Sequence, residues 1–391
     1  MKKIGVLTLV FLNYGTRLQS YALAKILDSI KPDNVSIEII DLETTWTDRP
    51  LNLLRLFLQI VKAYKLRSIA YIFNLIRWRE EKKRINSKDH AAERAKRQDL
   101  FSFIIDKIPY TNQKYSCNDI RNGKLYDYDA IIVGSDQVWN GIKVRNQDVF
   151  GLNFFSKLKL TYAASFGMTT IPKELFSTYK KNINSFDSLL MREQEGVDLC
   201  KKLGRNDAEV VLDPTLLLSE NDYDSLVDHS EVLVQEEFVL VYSLNYSYKI
   251  FQQAHNVAKK NKCKMIVLKR SFCPPNVGKF DNSEELYAVS PEGFLWLIKH
   301  AKCIITNSYH ALLFSINFKK PFYLYLDNCD EENSRMLTIV RMLKLDNRVF
   351  WETQNLPLEI RDVDFTEATE VVCRQRARSI ELLKKSLQKM V

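Results

Sequence analysis

Short apolar runs alternate with longer segments of helical periodicity along most of the chain. Runs typical of buried strands lie at 3–10, 35–41, 130–133, 160–165, 210–212, 238–243, 264–268, 303–305 and 322–325. Segments typical of helices lie at 16–30, 51–84, 91–108, 248–261, 291–300, 309–318 and 367–390. Because strands that alternate with helices form parallel sheets covered on both faces, the pattern predicts an α/β fold.

The alternation is interrupted at residues 218–237, where the chain becomes polar and acidic. A chain of 391 residues is longer than most single hydrophobic cores, so we expect more than one domain. We predict a first domain at residues 1–220, a second at 221–350, and a C-terminal segment at 351–391 whose helix returns to the first domain.

The most informative turn lies between the predicted strand 303–305 and the helix that follows it. Such a turn sits at a strand's carboxyl end, where α/β sheets bind ligands, and at a helix's amino end, which favours anions. His310 lies at this point and can both hold an anion and move a proton. The alternative is an ordinary helix cap at Asn307 or Ser308 beside an incidental histidine.

A second turn, at residues 134–140, follows the predicted strand 130–133 and combines hydrogen-bonding side chains with an aromatic one. Sugar sites use that mixture, because polar groups bind hydroxyls and an aromatic ring covers the apolar face of the sugar. The alternative makes Asp136 a helix cap and Trp139 part of the core. The chain lacks the Gly-x-Ser-x-Gly elbow here, which disfavours a serine hydrolase.

One glycine and two arginines are further candidates for residues of a ligand-binding site. Gly15, after the first strand, allows a close approach of backbone or ligand, or else forms a tight turn capped by Thr16. Arg192 follows an apolar run, and Arg335 follows the last strand of the second domain. A buried arginine is usually paired or holds an anion, whereas a surface one faces solvent.

Positive charge is concentrated in one region. Residues 49–107 contain 15 Lys and Arg against 6 Asp and Glu, a difference of +9 that equals the net charge of the whole chain. A basic helical segment rich in long apolar side chains either docks on an anionic membrane surface or packs on the core with a solvated basic face. Aromatic residues without a nucleic-acid-binding motif indicate no nucleic-acid partner.

Cysteine usage and hydropathy limit the class of protein. Seven scattered cysteines, an odd number without a CxxC pair, predict reduced thiols in a cytoplasmic protein. No cluster of His, Cys or carboxylates has metal-ligand spacing, so we expect no required metal. The apolar start of the chain lacks a cleavage site, and no run is long enough to span a membrane.

Several of these motifs together resemble the polysaccharide pyruvyl transferase family. The similar blocks lie, in order, at residues 13–23, 128–140, 162–167, 192–193, 211–217 and 306–311, followed by Pro321 and Phe322. The resemblance implies two Rossmann-like domains facing across a cleft, similar to the B-type glycosyltransferase fold. It also implies transfer of the enolpyruvyl group of phosphoenolpyruvate to a sugar, typically closing a pyruvate ketal across two hydroxyls.

The resemblance also implies roles for residues of the donor site. The family's arginine and histidine fall on Arg192 and His310. As a mechanistic hypothesis, we expect His310 to act as the general acid that protonates the methylene carbon of the enol or assists the departure of phosphate. Many members carry an arginine two residues before that histidine, where this chain has Ser308. We expect Arg335, or hydroxyl and backbone contacts at Asn307, Ser308 and Tyr309, to complete the donor site.

The remaining assignments concern the acceptor. We expect Asp136 to take a proton from the acceptor hydroxyl. Acceptor binding is assigned to Asn13, Tyr14, Gly15, Gln19, Ser135, Gln137, Trp139 and Asn140. The expected partners are phosphoenolpyruvate, as co-substrate rather than cofactor, and a capsule or exopolysaccharide precursor on polyprenyl phosphate at the inner membrane face. The alternatives are a glycosyltransferase that uses a nucleotide-sugar, and a non-catalytic glycan-binding relative.

Overall fold

The computed structural model describes residues 1–43, 98–141, 144, 146–244, 247–269, 279–287, 289–327 and 330–390. Its first sheet is parallel and has the order β2-β1-β3-β4. The strands are β1 (Lys2–Leu7), β2 (Val35–Ile39), β3 (Ala130–Val133) and β4 (Leu158–Thr161). Isolated bridges connect the β4 side of this sheet to a parallel pair, β5 (Leu190–Met191) and β6 (Glu209–Val210).

The second sheet is also parallel and has the order β12-β11-β10-β7-β8-β9. Its strands are β7 (Phe238–Tyr242), β8 (Lys264–Lys269), β9 (Ser283–Tyr287), β10 (Cys303–Thr306), β11 (Phe322–Leu326) and β12 (Val349–Trp351). Every residue of β7, β10 and β11 is buried, as expected for parallel strands covered on both faces.

Helices cover both sheets. In the described part of the chain they are α1 (Tyr14–Ile30), α2 (Ser102–Asp106), α3 (Cys117–Arg121), α4 (Gln147–Phe150), α5 (Lys173–Asn184), α6 (Gln194–Lys202), α7 (Pro214–Leu217), α8 (Asp224–Val227), α9 (Tyr248–Lys260), α10 (Pro291–His300), α11 (Tyr309–Asn317), α12 (Asp330–Met342) and α13 (Thr366–Gln388), with 3₁₀ turns at Glu220–Tyr223 and Asp346–Arg348. None of the described helices is both long and apolar enough to span a bilayer.

Apolar packing joins the two sheets. One cluster of buried side chains extends from β1 to the helices on one face of the second sheet, and a smaller cluster fills the other face. Tyr14 of α1 stacks on Phe294 of α10 with ring centroids 4.6 Å apart, and its hydroxyl donates to the Val289 carbonyl at 3.0 Å. At the C-terminus, α13 lies against the first sheet, where the Leu212 N–H donates to Ser379 Oγ at 3.0 Å.

Differences from the predicted elements have local causes. The first strand ends at Leu7 rather than at residue 10, because Leu7 is the last residue paired with β3. The predicted strand 160–165 is Leu158–Thr161, since Ala163 has a φ of 47° and turns the chain. The edge strands β9 and β12 were not predicted; the sequence Ser-Glu-Glu-Leu-Tyr of β9 has no apolar run.

Seven of the described helices were also not predicted: the longer α5, α6 and α12, and the short α3, α4, α7 and α8. The predicted helix at 91–108 is confirmed for most of its described part, with one interruption. Residues 98–100 are helical, and α2 begins at Ser102 after a break at Phe101. The helical prediction for 51–84, and most of the basic region 49–107, lie outside the described residues.

Candidate active site

The loops at the carboxyl ends of both sheets meet around the ring of Tyr309. The first sheet and the β5–β6 pair beside it contribute three carboxylates and an arginine, and the second sheet contributes an aromatic ring, a histidine and an arginine. We call this group the Tyr309 cluster; it comprises Asp136, Arg192, Glu193, Asp213, Tyr309, His310 and Arg335.

The turn before α11 is fixed by its own side chains. Ser308 is the N-cap of α11, and its hydroxyl accepts from the Ala311 N–H at 3.5 Å. Asn307 Oδ1 accepts from the Leu244 N–H at 2.7 Å and so ties this turn to the end of β7. The cap alternative therefore holds for Ser308, and the two residues fix the direction in which His310 leaves the helix.

His310 lies against α1. A Cβ atom on Gly15 would lie 2.1 Å from His310 Nδ1, so only glycine leaves room for the imidazole. The side chain of His310 is 15% exposed, and its Nε2 lies 4.0 Å from Asp213 Oδ2. The predicted close approach to the backbone of Gly15 is thus made by the side chain of His310, from the second half of the molecule.

Asp136 follows β3 with a φ of 71°, a left-handed conformation that is uncommon for residues other than glycine. Its Oδ1 accepts from the Gln137 N–H at 2.8 Å and from both terminal nitrogens of Arg192 at 3.4 Å. Sparsely populated backbone conformations concentrate at functional sites, where the surrounding structure holds them. Asp136 is held here by the guanidinium beside it.

Arg192 lies at the centre of the acidic side of the cluster. Its side chain is 0% exposed and lies 3.4 Å from Asp136, 3.4 Å from Asp213 and 3.6 Å from Glu193. Its guanidinium also lies 4.8 Å from the centroid of the Tyr309 ring. The positive charge of Arg192 is therefore matched by protein carboxylates.

Arg335 differs from Arg192 in its neighbours. Its guanidinium lies 5.2 Å from the centroid of the Tyr309 ring, and the Gln137 amide can accept from it. Among the residues whose side chains are described, no carboxylate lies within ion-pair distance of Arg335. Burial, and then repulsion by Arg192, lower the pKa of Arg335. An approaching anion would stabilise its charged form.

Burial and neighbouring charges set the ionisation of the other groups. Burial lowers the pKa of His310, although Asp213 and Asp136 oppose that effect. Burial alone would raise the pKa of Asp136, but Arg192, His310 and Arg335 together hold it below the usual range. Burial raises the pKa of Glu193. Without a bound ligand, the cluster therefore favours an ionised Asp136 beside a neutral His310.

Unpaired polar atoms concentrate in this cluster. Nine buried side-chain nitrogen or oxygen atoms of the described residues lack a hydrogen-bond partner. Four of the nine belong to the cluster: Arg192 Nε, Glu193 Oε2, His310 Nε2 and Arg335 Nε. Because buried polar groups are almost always paired, such a concentration is typical of a site that binds a polar ligand.

The residues assigned to acceptor binding mostly lie inside the protein. Trp139 is 0% exposed and packs between Phe166 and Phe186, with its Nε1 donating to the Phe150 carbonyl at 3.1 Å. It is a core residue, as the alternative interpretation had it, and presents no face to a sugar. Asn140 is also buried, and donates to the Gly167 carbonyl at 3.4 Å.

The other residues of this set have structural contacts as well. Gln19 and Ser135 are fully buried and hydrogen-bonded to each other, and Gln19 also donates to Thr8 at 3.2 Å. Asn13 caps α1 by accepting from the Thr16 N–H at 2.9 Å, and Tyr14 is the inter-sheet contact described above. Two of the eight assigned residues contact the Tyr309 cluster: Gln137 contacts Arg335, and Gly15 contacts His310.

Two carboxylates of the cluster were not assigned from the sequence. Asp213 and Glu193 entered the sequence analysis only as members of the blocks 211–217 and 192–193 that resemble the family, and neither was given a role. In the structure Asp213 caps α7, and its Oδ1 accepts from both the Thr215 N–H and the Thr215 hydroxyl. The signal was present, because Asp-Pro after a short apolar run marks a helix start at the carboxyl end of a strand. Within the described residues, no three His, Cys, Asp or Glu side chains are arranged so that they could hold a metal ion.

The two parallel sheets, with a cluster of charged side chains between them, define an α/β protein of two halves. The model of one family, polysaccharide pyruvyl transferase, matches residues 13–330. The chain therefore belongs to the polysaccharide pyruvyl transferase family and is a transferase. A comparison with curated protein sequences finds no significant match.

Solved structures show the fold. A putative UDP-N-acetylglucosamine 2-epimerase from Listeria monocytogenes is 10% identical, with a TM-score of 0.51, over 99% of this chain and 92% of that one. S. aureus MnaA, solved with UDP, is 11% identical with a TM-score of 0.50, over 97% of this chain and 91% of that one. At this identity the likeness concerns the fold alone, which is the predicted pair of Rossmann-like halves of the glycosyltransferase B type.

Proposed function

We propose that this protein transfers the enolpyruvyl group of phosphoenolpyruvate to a sugar of a surface polysaccharide precursor and closes a pyruvate ketal there. Membership of the family supports the reaction class. The observation that carries the donor assignment is Arg335, a guanidinium without an ion-pair partner among the described side chains, next to the ring of Tyr309 and the amino end of α11.

The donor is a small molecule with two anionic groups, and the cluster offers matching charge. Arg335 binds the phosphate or the carboxylate, and the N–H groups of the first turn of α11 bind the other group. Arg192 acts behind them. Its charge is balanced by Asp136, Asp213 and Glu193, so it fixes the positions of these carboxylates more than it attracts the donor. Ser308, as the cap of α11, contributes by orienting those N–H groups.

The proposed reaction uses His310 as the acid. Binding of an anion beside His310 raises its affinity for a proton. His310 then protonates the methylene carbon of the enol, which becomes a methyl group, and positive charge develops on the neighbouring carbon. A sugar hydroxyl attacks that carbon and releases its proton to Asp136. The carbon–oxygen bond to phosphate breaks, and the departing phosphate takes the proton from Asp136. A second hydroxyl of the sugar then attacks the same carbon and passes its proton to the now neutral His310, which closes the ketal and restores the acid. Acid–base help of this kind is worth about 10²–10⁴-fold.

One other enzyme class has support from the structure. A glycosyltransferase that takes a nucleotide-sugar would use the same fold, and one of the similar structures was solved with UDP. A non-catalytic glycan-binding protein is the third interpretation, and it would leave the unpaired atoms of His310 and Arg335 without a role. Offering the protein either phosphoenolpyruvate or nucleotide-sugars distinguishes these three interpretations.

The test is transfer to glycan with a defined donor. Candidate polyprenyl-phosphate-linked glycans are incubated with the protein and either phosphoenolpyruvate or a panel of nucleotide-sugars, and the products are analysed by mass spectrometry. The proposal predicts a pyruvyl group on the glycan, together with released phosphate, in the phosphoenolpyruvate reaction alone. Addition of a sugar in the nucleotide-sugar reaction would establish the alternative instead.

The place of the reaction is a separate proposal. Polyprenyl-linked acceptors lie at a membrane surface, and the basic region 49–107 carries a charge excess equal to that of the whole chain. We propose that it docks the protein reversibly on anionic lipid, with about 1 kcal/mol from each Lys or Arg near the surface. Co-sedimentation with anionic vesicles at low salt, lost at high salt, is the expected result. A protein that stays in the supernatant at low salt contradicts docking.

A further inference from the structure

Asp213 and His310 come from opposite halves of the molecule and face each other across the cluster. Asp213 belongs to the loop after β6, and His310 to the first turn of α11. The Asp213 side chain is 0% exposed, and its Oδ2 lies 4.0 Å from His310 Nε2. Neither the predicted site nor the reaction above gives Asp213 a part.

The hydrogen bonds of Asp213 leave one oxygen turned towards the histidine. Oδ1 accepts from the Thr215 N–H at 3.0 Å and from its hydroxyl at 2.8 Å, so the cap of α7 occupies this atom. Oδ2 has a long contact of 3.4 Å with Arg192. His310 Nε2 is buried and has no hydrogen-bond partner. A distance of 4.0 Å exceeds a hydrogen bond, but catalytic contacts often tighten only when substrate binds.

We propose that Asp213 is a positioning residue that keeps the proton of His310 on Nε2 and offsets the charge that His310 gains when it is protonated. This inference rests on the proposed role of His310 as the acid. A fixed carboxylate on one ring nitrogen selects the tautomer and the ring orientation and stabilises the imidazolium. The cap at Thr215 holds the carboxylate itself in place.

Other charges also act on His310 and have to be separated from Asp213. Asp136 favours its protonated form, while Arg192 and Arg335 oppose it. Asp213 acts at the Nε2 side, with its Oδ2 4.0 Å from that nitrogen. Replacing Asp213 by asparagine removes the charge and keeps an oxygen for the cap of α7.

Two measurements test the inference, and neither needs turnover. In the wild-type protein, ¹⁵N spectra of labelled histidine report the tautomer of neutral His310. The inference predicts a proton on Nε2, and a proton on Nδ1 would overturn it. The same spectra, recorded as a pH titration, should show His310 of Asp213→Asn losing its proton at lower pH than wild type. An unchanged titration would also overturn the inference.

Thr215→Val is the matched control. It removes the hydroxyl contact to Oδ1 and leaves the charge of Asp213 in place. It should therefore leave the titration of His310 where it is, and an equal change in both variants would show that Asp213 acts only through the structure of the cap.

The kinetic readout connects this pair to the reaction. With phosphoenolpyruvate, Asp213→Asn should lower kcat by about 10²-fold, the loss that a misplaced catalytic group causes. The fall of kcat/KM with rising pH should begin at lower pH, while KM does not increase, because a negative charge has been removed from an anion site. A higher KM with unchanged kcat would contradict this role. Wild-type protein without pyruvyl transfer would refute the proposed function and leave the tautomer result intact.

Discussion

The turn at residues 134–140 and the Tyr309 cluster lie side by side at the carboxyl ends of the strands, yet their polar groups are arranged differently. In the turn, Trp139 and Asn140 donate to backbone carbonyls, and Ser135 is hydrogen-bonded to Gln19. In the cluster, four buried polar atoms have no hydrogen-bond partner, and two of them, Arg192 Nε and Glu193 Oε2, form an ion pair at 3.6 Å. Asp136 belongs to both, since it follows β3 and contacts Arg192.

This difference separates residues that shape the site from residues that meet the ligand. Polar groups that satisfy each other rigidify the protein and have little left to offer a substrate. Buried groups that remain unpaired destabilise the protein unless a ligand uses them, so their grouping indicates binding. The sugar-site composition of the 134–140 turn therefore mostly reflects a scaffold, and our proposal assigns the chemistry to His310, Arg335 and Asp136.

Removal of the histidine should have the largest effect. His310→Ala should lower pyruvyl transfer by about 10²–10⁴-fold, because the acid that protonates the enol is lost. Released phosphate and mass spectrometry of the glycan report the rate. Thermal unfolding should change little, since a smaller side chain is easily placed beside Gly15. Near-normal turnover by a folded variant would remove His310 from the catalytic role.

Trp139→Ala should act on stability. The side chain is fully buried, and truncating a core tryptophan costs about 3–5 kcal/mol. Denaturant unfolding measures the loss, and Tyr126→Ala, at an aromatic residue that is 55% exposed, is the control with little expected change. A stable Trp139→Ala protein with weakened acceptor binding would contradict this interpretation of the 134–140 turn, because it would show that Trp139 binds the acceptor rather than supports the fold.

Arg192→Ala should behave as a structural change as well. It leaves the carboxylates of Asp136, Asp213 and Glu193 buried without their cation, and breaking a buried pair in this way costs about 3–5 kcal/mol. Arg192→Lys, which keeps the charge, should lose less. If Arg192→Ala unfolds at the wild-type denaturant concentration and loses only donor affinity, Arg192 is a ligand-binding residue like Arg335.

Glu292 tests whether an unpaired buried atom always indicates a ligand. It is 1% exposed in the first turn of α10, its Oε1 has no partner, and burial raises its pKa to about 7. The folded protein therefore holds this proton more tightly than the unfolded chain. The associated stability is present at low pH and is lost as pH rises through about 7, by at most about 1.4 kcal/mol per pH unit.

Urea midpoints of wild type and Glu292→Gln at about pH 5 and about pH 8 measure this effect. The two proteins should be similar in acid, and Glu292→Gln should be the more stable at higher pH. A difference that does not depend on pH would show that Glu292 keeps an ordinary affinity for its proton.

Much of the fold could be predicted from the sequence, because buried parallel strands are continuous apolar runs. β3 and α10 have the predicted bounds, while β9 is polar at the sheet edge and α12 is too polar to show a clear apolar stripe. The site was less predictable. His310 and Arg335 were found from their places after strands. The burial of Trp139 and the approach of Asp213 to His310 depend on packing between segments that are distant in the sequence. Such contacts leave no local pattern of residues from which they could be predicted.

The most direct test of the account is the affinity for phosphoenolpyruvate when one arginine of the Tyr309 cluster is removed. Arg348 is the matched control, since it is an arginine of the second half whose Nε, like that of Arg335, is buried without a hydrogen bond, but it contacts Tyr323 and lies outside the cluster. Titration calorimetry on wild type, Arg335→Ala and Arg348→Ala gives the three affinities. The account predicts a loss of about 1.5–3 kcal/mol, roughly 10- to 150-fold, for Arg335→Ala and no change for Arg348→Ala. Equal affinity in wild type and Arg335→Ala, with both proteins folded, would contradict it.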